Sequence, residues 1–290
     1  MANKPFEFAV ENYPLSKATL YAVGGPARLA LFPRNAQEAR DAHHWLLEQP
    51  LPRLVLGNGS NVLIADRGFD GVVLLTGRLD RIQKVGERRY RVEGGVDLDR
   101  LVREVIVAEN LEGAGALAGI PGSVGGAVFM NAGTTNGCTC QYIESVDLIT
   151  TNGPATVSIE PALYDYRKQS FCGRDDLILE ATFVFESASD DQQAIYDHYM
   201  RRRREKQPQG ACCGSVFKNP PGDHAGRLIE ACGLKGARRG GAAISDKHAN
   251  FIMNEDGATC DDILYLIELC KQEVLAQFGV KLEEEVRVVA

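Results

Sequence analysis

The chain has 290 residues, 44% of them hydrophobic, and carries a formal charge of −7. That length and apolar content support two cores, and the negative balance excludes a molecule-wide surface for nucleic acid or anionic lipid. No apolar run reaches the ~18 residues that a membrane-crossing helix needs. The N-terminus, MANKPFEFAVENY, lacks the apolar centre of a secretion signal, so a cytoplasmic location is expected. The eight cysteines follow no disulfide or metal spacing, and the five histidines are dispersed. Free thiols in a reducing compartment, with no metal site, are therefore expected.

In chain order, residues 15–34 read as strand, tight turn at Gly24-Gly25-Pro26, and strand. Asn35 and Glu38 have capping-box spacing, which predicts a helix to about Glu48, ended by Pro50 and Pro52. Arg53–Leu56 and Val62–Ile64 read as strands. Between them Gly57-Asn58-Gly59-Ser60-Asn61 is either a hairpin turn or a phosphate contact. Residues 71–76 and 81–93 alternate as strands do. Leu98, Leu101, Val102 and Val105 then fall at helical spacing behind Asp97, which suits an N-cap, and this helix runs to Asn110.

The stretch Gly113–Gly137 holds eight glycines in 25 residues and no charge. Glycine loses the most backbone entropy on folding, so such density implies close backbone approach or positive φ. Leu117, Ile120, Val124, Val128, Phe129 and Met130 want burial, which sets the stretch apart from a polar linker. Successive N–H groups there can cradle a pyrophosphate without a basic side chain. Gly113, Gly115 and Ala118 match the spacing of a Rossmann fingerprint, but that motif requires a preceding strand and a following helix. A predicted helix precedes it and Gly119-Ile120-Pro121-Gly122 follows, so the Rossmann reading is rejected.

Tyr142–Thr150, Ala155–Ile159 and Leu177–Phe185 read as strands, and a helix runs from about Ser189 to Glu205. Its last turn holds Arg201–Arg204, followed by Lys206. These bases complement the helix dipole and also suit an anionic substrate. Asp223 is placed to cap a helix through Cys232, Ala249–Met253 reads as a strand, and Thr259 with Asp262 forms a capping box. The helix behind it ends before Gly279, and Leu282–Val289 reads as a final strand. Strands and helices alternate without a regular βαβ rhythm, which predicts an α+β architecture.

No P-loop, G-x-S-x-G elbow or H-E-x-x-H motif occurs. Residue chemistry alone therefore yields an uncharged glycine cradle for a dinucleotide and a basic second half for a phosphorylated substrate. A non-catalytic nucleotide-binding protein remains an alternative at this point.

A set of ordered motifs narrows the choice: Val23-Gly-Gly-Pro26, Gly57-Asn-Gly-Ser-Asn-Val-Leu63, Ala118-Gly-Ile-Pro-Gly-Ser-Val-Gly-Gly-Ala127, Met130-Asn-Ala-Gly133, Tyr166-Arg167, Gly214-Ser-Val-Phe-Lys-Asn-Pro220, Lys247-His248 and Glu285-Val-Arg287. Over nearly its whole length the chain resembles the UDP-N-acetylmuramate dehydrogenase (UDP-N-acetylenolpyruvylglucosamine reductase) family. The resemblance implies a two-lobed FAD-binding domain of the vanillyl-alcohol-oxidase type over 1–187, with lobes of roughly 1–66 and 67–187. It implies a smaller α+β substrate-binding domain over 188–290, its last strand (282–290) returning toward the first domain. The stretch between Arg167 and Ser215 is short, as in the subtype without an extra substrate-covering loop.

The implied reaction is reduction of the enolpyruvyl ether of UDP-N-acetylglucosamine enolpyruvate by NADPH through non-covalent FAD, in peptidoglycan precursor synthesis. Another FAD-dependent oxidoreductase on the same fold is the nearest alternative. Three catalytic residues carry over: Arg167 on the substrate carboxylate, Ser215 as proton donor, and Glu285 facing the intermediate. The cofactor positions are Gly57, Asn58, Gly59, Ser60, Asn61, Gly119, Ile120, Pro121, Gly122, Ser123, Gly125, Gly126, Ala127 and Asn131. Those of the substrate are Arg203, Lys206, Asn219, Lys235 and His248. Cys212 and Cys213, beside Ser215, are assigned to packing. No nucleic acid or membrane insertion is expected, and a monomer is the expected state.

Overall fold

A computed structural model describes residues 5–289. Residues 1–4 and 290, which the expected domain ranges and last strand include, lie outside the described residues. The chain forms two compact units, each assembled from three stretches. The first takes the chain up to Glu11, Leu29–Asn58 and Gly71–Arg202; the second takes Asn12–Arg28, Gly59–Asp70 and the chain from Arg203. This grouping by compactness cuts across the division at residue 187, because short excursions of the N-terminal third are built into the second unit.

In the first unit a five-stranded antiparallel sheet has the order Gly153–Ser158, Ile143–Thr150, Leu177–Val184, Arg89–Glu93, Ile82–Gly86. The central strand is buried at seven of nine positions from Leu177 to Phe185, as its continuous apolar run demands. Phe183 and Phe185 stack at 5.7 Å between centroids, and Tyr142 packs on Phe185 at the same distance. Against this layer lie the helical segments Leu98–Leu101, Ala114–Leu117 and Val124–Phe129. Asp97 caps the first through the amide of Arg100, and the helix continues as a π-helical turn over Val102–Val107. A second core packs the helix Ala36–Glu48 on strands that include Arg53–Leu56, which pairs in parallel with Phe69–Leu75. Asn35 caps that helix by accepting from the Glu38 amide, but Glu38 reaches back to the Arg34 amide, one residue further than a capping box requires.

In the second unit Arg238–Arg239, Ala242–Ile244 and Ile252–Asn254 form an antiparallel sheet covered by the helix Cys260–Phe278. Here the capping box is complete: Thr259 Oγ1 accepts from Asp262 N, and Asp262 Oδ2 accepts from Thr259 N. Gly279, at φ +67°, ends the helix in the left-handed conformation.

Four local readings change. Leu15–Ala18 is a 3-10 helix, so among the described residues no strand precedes the Gly24-Gly25-Pro26 turn except Ala9–Pro14. Val62–Ile64 pairs in parallel with Arg287–Val289, so the segment between it and Arg53–Leu56 is no hairpin turn. Parallel partners are joined by long crossovers, which no local turn signal reveals. The final strand is confined to Arg287–Val289, while Leu282–Val286 runs alongside with an isolated bridge between Phe217 and Glu284. The helix Ala225–Ala231 is capped from a distance: Asn219 Oδ1 accepts from Ala225 N, whereas Asp223 accepts from His224 N and pairs with Arg227.

Candidate functional site

Within the first unit, glycines far apart in sequence meet at one place. A Cβ on Gly57 would lie 2.1 Å from Ser123 Oγ, and one on Gly125 would lie 2.9 Å from the carbonyl oxygen of Gly94. Only glycine fits either position. Ser123 is buried and caps Val124–Phe129 by accepting from Gly126 N at 3.2 Å. Val124 N and Gly125 N donate to Val96 and Gly94 carbonyls at 2.7 Å, locking the turn onto the end of the sheet. Asn58 Nδ2 donates to Asp97 Oδ2 at 3.3 Å, tying the Gly57 loop to the same corner. The result is a side-chain-poor floor rimmed by hydroxyl, amide and backbone groups. That corner gives a dinucleotide room for close backbone approach; its Val124, Gly125 and Gly126 amides donate within the protein, and the Asp97 carboxylate stands beside it. Gly119, Ile120, Pro121 and Gly122 form the link into the Ser123 cap, with Gly119 at φ +66°, and Ala127 is buried one turn further on. Gly94 and Gly95 belong to this corner as well, and the sequence signal for them is a Gly-Gly pair directly after the strand Arg89–Glu93.

Arg167 stands at the tip of the two-stranded hairpin Tyr164–Asp165/Lys168–Gln169. Its φ of +56° is left-handed, a conformation costing about 1–2 kcal/mol for a residue with a Cβ. The guanidinium stacks over the Tyr166 ring at 5.0 Å, and Nη2 donates to the Gly133 carbonyl at 3.1 Å. Asn131, itself at φ +42° and buried, holds this tip in place. Its Nδ2 donates to the Asp165 carbonyl and its Oδ1 accepts from Cys140 N. Both ends of that amide are thus used inside the protein.

In the second unit the segment Gly214–Lys218 runs beside Glu283–Val286. Val216 O accepts from Glu285 N at 2.8 Å and from Val286 N at 3.2 Å, and Lys218 N donates to Glu283 O at 2.9 Å. Ser215 and Glu285 therefore sit on neighbouring strips of chain. Gly59, Ser60 and Asn61 lie on this unit, and Asn61 is joined to the same strip. Its Nδ2 donates to Glu285 O at 3.0 Å, and Arg287 N donates to Asn61 O at 3.0 Å. The three consecutive glutamates separate by partner: Glu283 pairs with Lys218, and Glu284 with Lys271 at 3.0 Å.

The remaining positions have simpler surroundings. Arg203 Nη1 donates to Gln207 Oε1 at 3.3 Å, and Lys206 is exposed at the end of its helix. Lys235 pairs with Glu230 at 2.7 Å. The His248 ring accepts at Nδ1 from Asn250 N at 3.2 Å, which places its proton on Nε2, and burial holds its pKa below the ordinary range. All eight cysteines are free. Burial pushes the Cys213 thiol up to about 12 and raises that of Cys212, so neither is an activated nucleophile. Among the described residues no cluster of metal-binding side chains occurs, and no helix is long and apolar enough to cross a membrane.

Comparison with known proteins covers both units. A model of the UDP-N-acetylenolpyruvoylglucosamine reductase C-terminal domain matches residues 206–289, and an FAD-binding domain model matches residues 27–157. The chain is 39% identical over 283 residues to UDP-N-acetylenolpyruvoylglucosamine reductase of Pediococcus pentosaceus, covering 97% of this chain and 94% of that one. It is 40% identical over 281 residues to the reductase of that name from Clostridium botulinum (strain Hall), covering 95% and 90%. The crystal structure of UDP-N-acetylenolpyruvylglucosamine reductase from Thermus caldophilus superposes with a TM-score of 0.82 at 33% identity, covering 97% of this chain and 98% of that one.

Proposed function

Because the chain belongs to the UDP-N-acetylenolpyruvoylglucosamine reductase family, we propose that it is an FAD-dependent oxidoreductase that reduces UDP-N-acetylglucosamine enolpyruvate to UDP-N-acetylmuramate with NADPH. FAD, when bound, would supply the two-electron chemistry that links NADPH to the methylene carbon of the enol ether. The protein's part is binding, orientation and proton delivery. Gly57, Asn58, Ser123, Gly125, Gly126 and Ala127 hold the dinucleotide, with Gly59, Ser60, Asn61, Gly119–Gly122 and Asn131 completing or bracing that loop set.

Arg167 binds the substrate carboxylate. Its guanidinium stays protonated and offers paired donors to the oxygens on which negative charge grows as hydride arrives. Ser215 gives its hydroxyl proton to the carbon bearing the ether oxygen: the O–H bond breaks, a C–H bond forms, and the alkoxide is reprotonated from water. Glu285 faces the same carbon and hydrogen-bonds the enol-like intermediate. Arg203, Lys206, Asn219, Lys235 and His248 take the nucleotide and sugar. The protein acts as a monomer in the cytoplasm. The observation that supports this reading is the pairing of Glu285 N with Val216 O at 2.8 Å, which ties Ser215 and Glu285 to adjacent strips of one unit.

Anaerobic absorption spectroscopy of the purified protein tests the proposal. NADPH should bleach the flavin band, and the enol ether should restore it. Bleaching without recovery would discard the substrate, and failure to take up FAD would discard the cofactor site.

A further inference from the structure

Ser215 follows Gly214, which is at φ +78° with no atom within 4 Å of where a Cβ would stand. Gly214 therefore contributes no side-chain contact to holding Ser215. The chain is held on both sides of it, by Cys213, which is buried, and by Val216 and Phe217, which are almost fully buried. One strip of their partners is Glu283–Val286, described above. The other is a single residue, Asn250, only 4% exposed. The Asn250 carbonyl accepts from Val216 N at 2.9 Å. Its side chain then pairs with Phe217 as a neighbouring strand residue would: Oδ1 accepts from Phe217 N at 2.9 Å and Nδ2 donates to Phe217 O at 2.8 Å. A side-chain amide here replaces a strand, and its own N–H is anchored on the His248 ring.

We propose that Asn250 is a positioning residue for the reaction, setting the register in which the Ser215 hydroxyl stands against Glu285. The inference rests on the reading of Ser215 as proton donor. Proton delivery to carbon tolerates little misplacement, and a displacement of about 1 Å is enough to cost ~100-fold. The Glu283–Val286 strip holds one edge of Val216–Phe217 and the Asn250 amide holds the other, so loss of that amide frees one edge of the strip to shift.

Asn250→Ala strands two buried backbone groups on Phe217 and endangers the fold. Asn250→Asp therefore carries the test, since it is isosteric and keeps the acceptor for Phe217 N while setting an oxygen against Phe217 O. The measurements are rapid-mixing absorbance of the FAD-loaded full chain, and amide hydrogen exchange of the same protein without substrate. The expected result is an unchanged flavin spectrum, bleaching by NADPH at the wild-type rate, and reoxidation by the enol ether slowed about 100-fold. Exchange should rise over residues 214–218 and stay unchanged in the helix Cys260–Phe278. Wild-type reoxidation, unaltered exchange at 214–218, equal slowing of both half-reactions, or a protein that does not fold would each overturn the inference. Ser215→Ala separates the two claims. If it reoxidises normally, the proton-donor reading falls. If it is slow while Asn250→Asp is fast, only the role of Asn250 falls.

Discussion

Single side chains here do two kinds of work. In the proposed reaction Ser215 and Arg167 act on the substrate, whereas Gly57 serves by having no side chain. Ser215→Ala should leave flavin bleaching by NADPH intact and slow reoxidation by about 10²–10⁴-fold, the range lost with a positioned general acid; stopped-flow absorbance separates the two phases. At Arg167 conformation and chemistry oppose each other. Arg167→Gly relieves the left-handed strain at φ +56° and should raise the melting temperature slightly, by roughly the equivalent of 1 kcal/mol. The same change should abolish reductase turnover. A loss of both stability and activity would mean that the guanidinium contact with Gly133 O outweighs the strain. Gly57→Ala drives a methyl group into the Ser123 cap, so the purified variant should carry much less flavin, read as the ratio of visible to ultraviolet absorbance. The conformation of Arg167 was not legible in the sequence, because a left-handed arginine leaves no pattern. The glycines were, because their density has a cost that only a close approach offsets.

At the scale of elements, signals that are local in the chain were readable, and those that depend on a distant partner were not. The Thr259–Asp262 box and Gly279 frame the helix Cys260–Phe278 as their spacing required. Thr259→Ala should cost about 1 kcal/mol, seen as a lower denaturation midpoint with unchanged flavin content. The helix Ala225–Ala231 shows the opposite case. Asp223 stands one residue before the N-cap position, which is His224, and its carboxylate pairs with Arg227, while Asn219 supplies the acceptor to Ala225 N. Competition among partners decides such a cap, and sequence spacing lists candidates without ranking them. The Gly57–Asn61 loop likewise joins two strands whose partners lie elsewhere in the chain, so its turn composition described the backbone and not the pairing.

Over the whole molecule, the two units are woven from alternating stretches, and buried histidines make their stability depend on pH. His43 is fully buried in the first unit with Nε2 against the Asp175 carbonyl at 2.7 Å, and His248 is half-buried in the second. Burial lowers both below the ordinary value of 6.5. The unfolded chain therefore binds more protons than the folded one as pH falls below 6.5. The stabilisation is fully present above that pH and is lost as pH falls toward the lowered folded values. Thermal melts should drop in midpoint between pH 7.5 and 5.5, and His43→Gln should flatten that slope; an equal slope in both proteins would remove His43 as its source.

The sequence by itself determined that the molecule is α+β, that Gly113–Gly137 is an ordered, uncharged loop set, and which ordered motifs place it in its family. Each of these is carried by residues close together in the chain, where spacing, charge and the entropy of glycine act directly. The tertiary structure alone decided that Gly57 and Gly94 close on the Ser123 turn, that Asn250 stands in for a strand beside Phe217, and that Glu283 and Glu284 are taken by Lys218 and Lys271. Those outcomes join residues that are tens of positions apart in the chain. They are fixed by which buried polar group finds a partner and which Cβ finds no room, and both conditions exist only once the chain has packed.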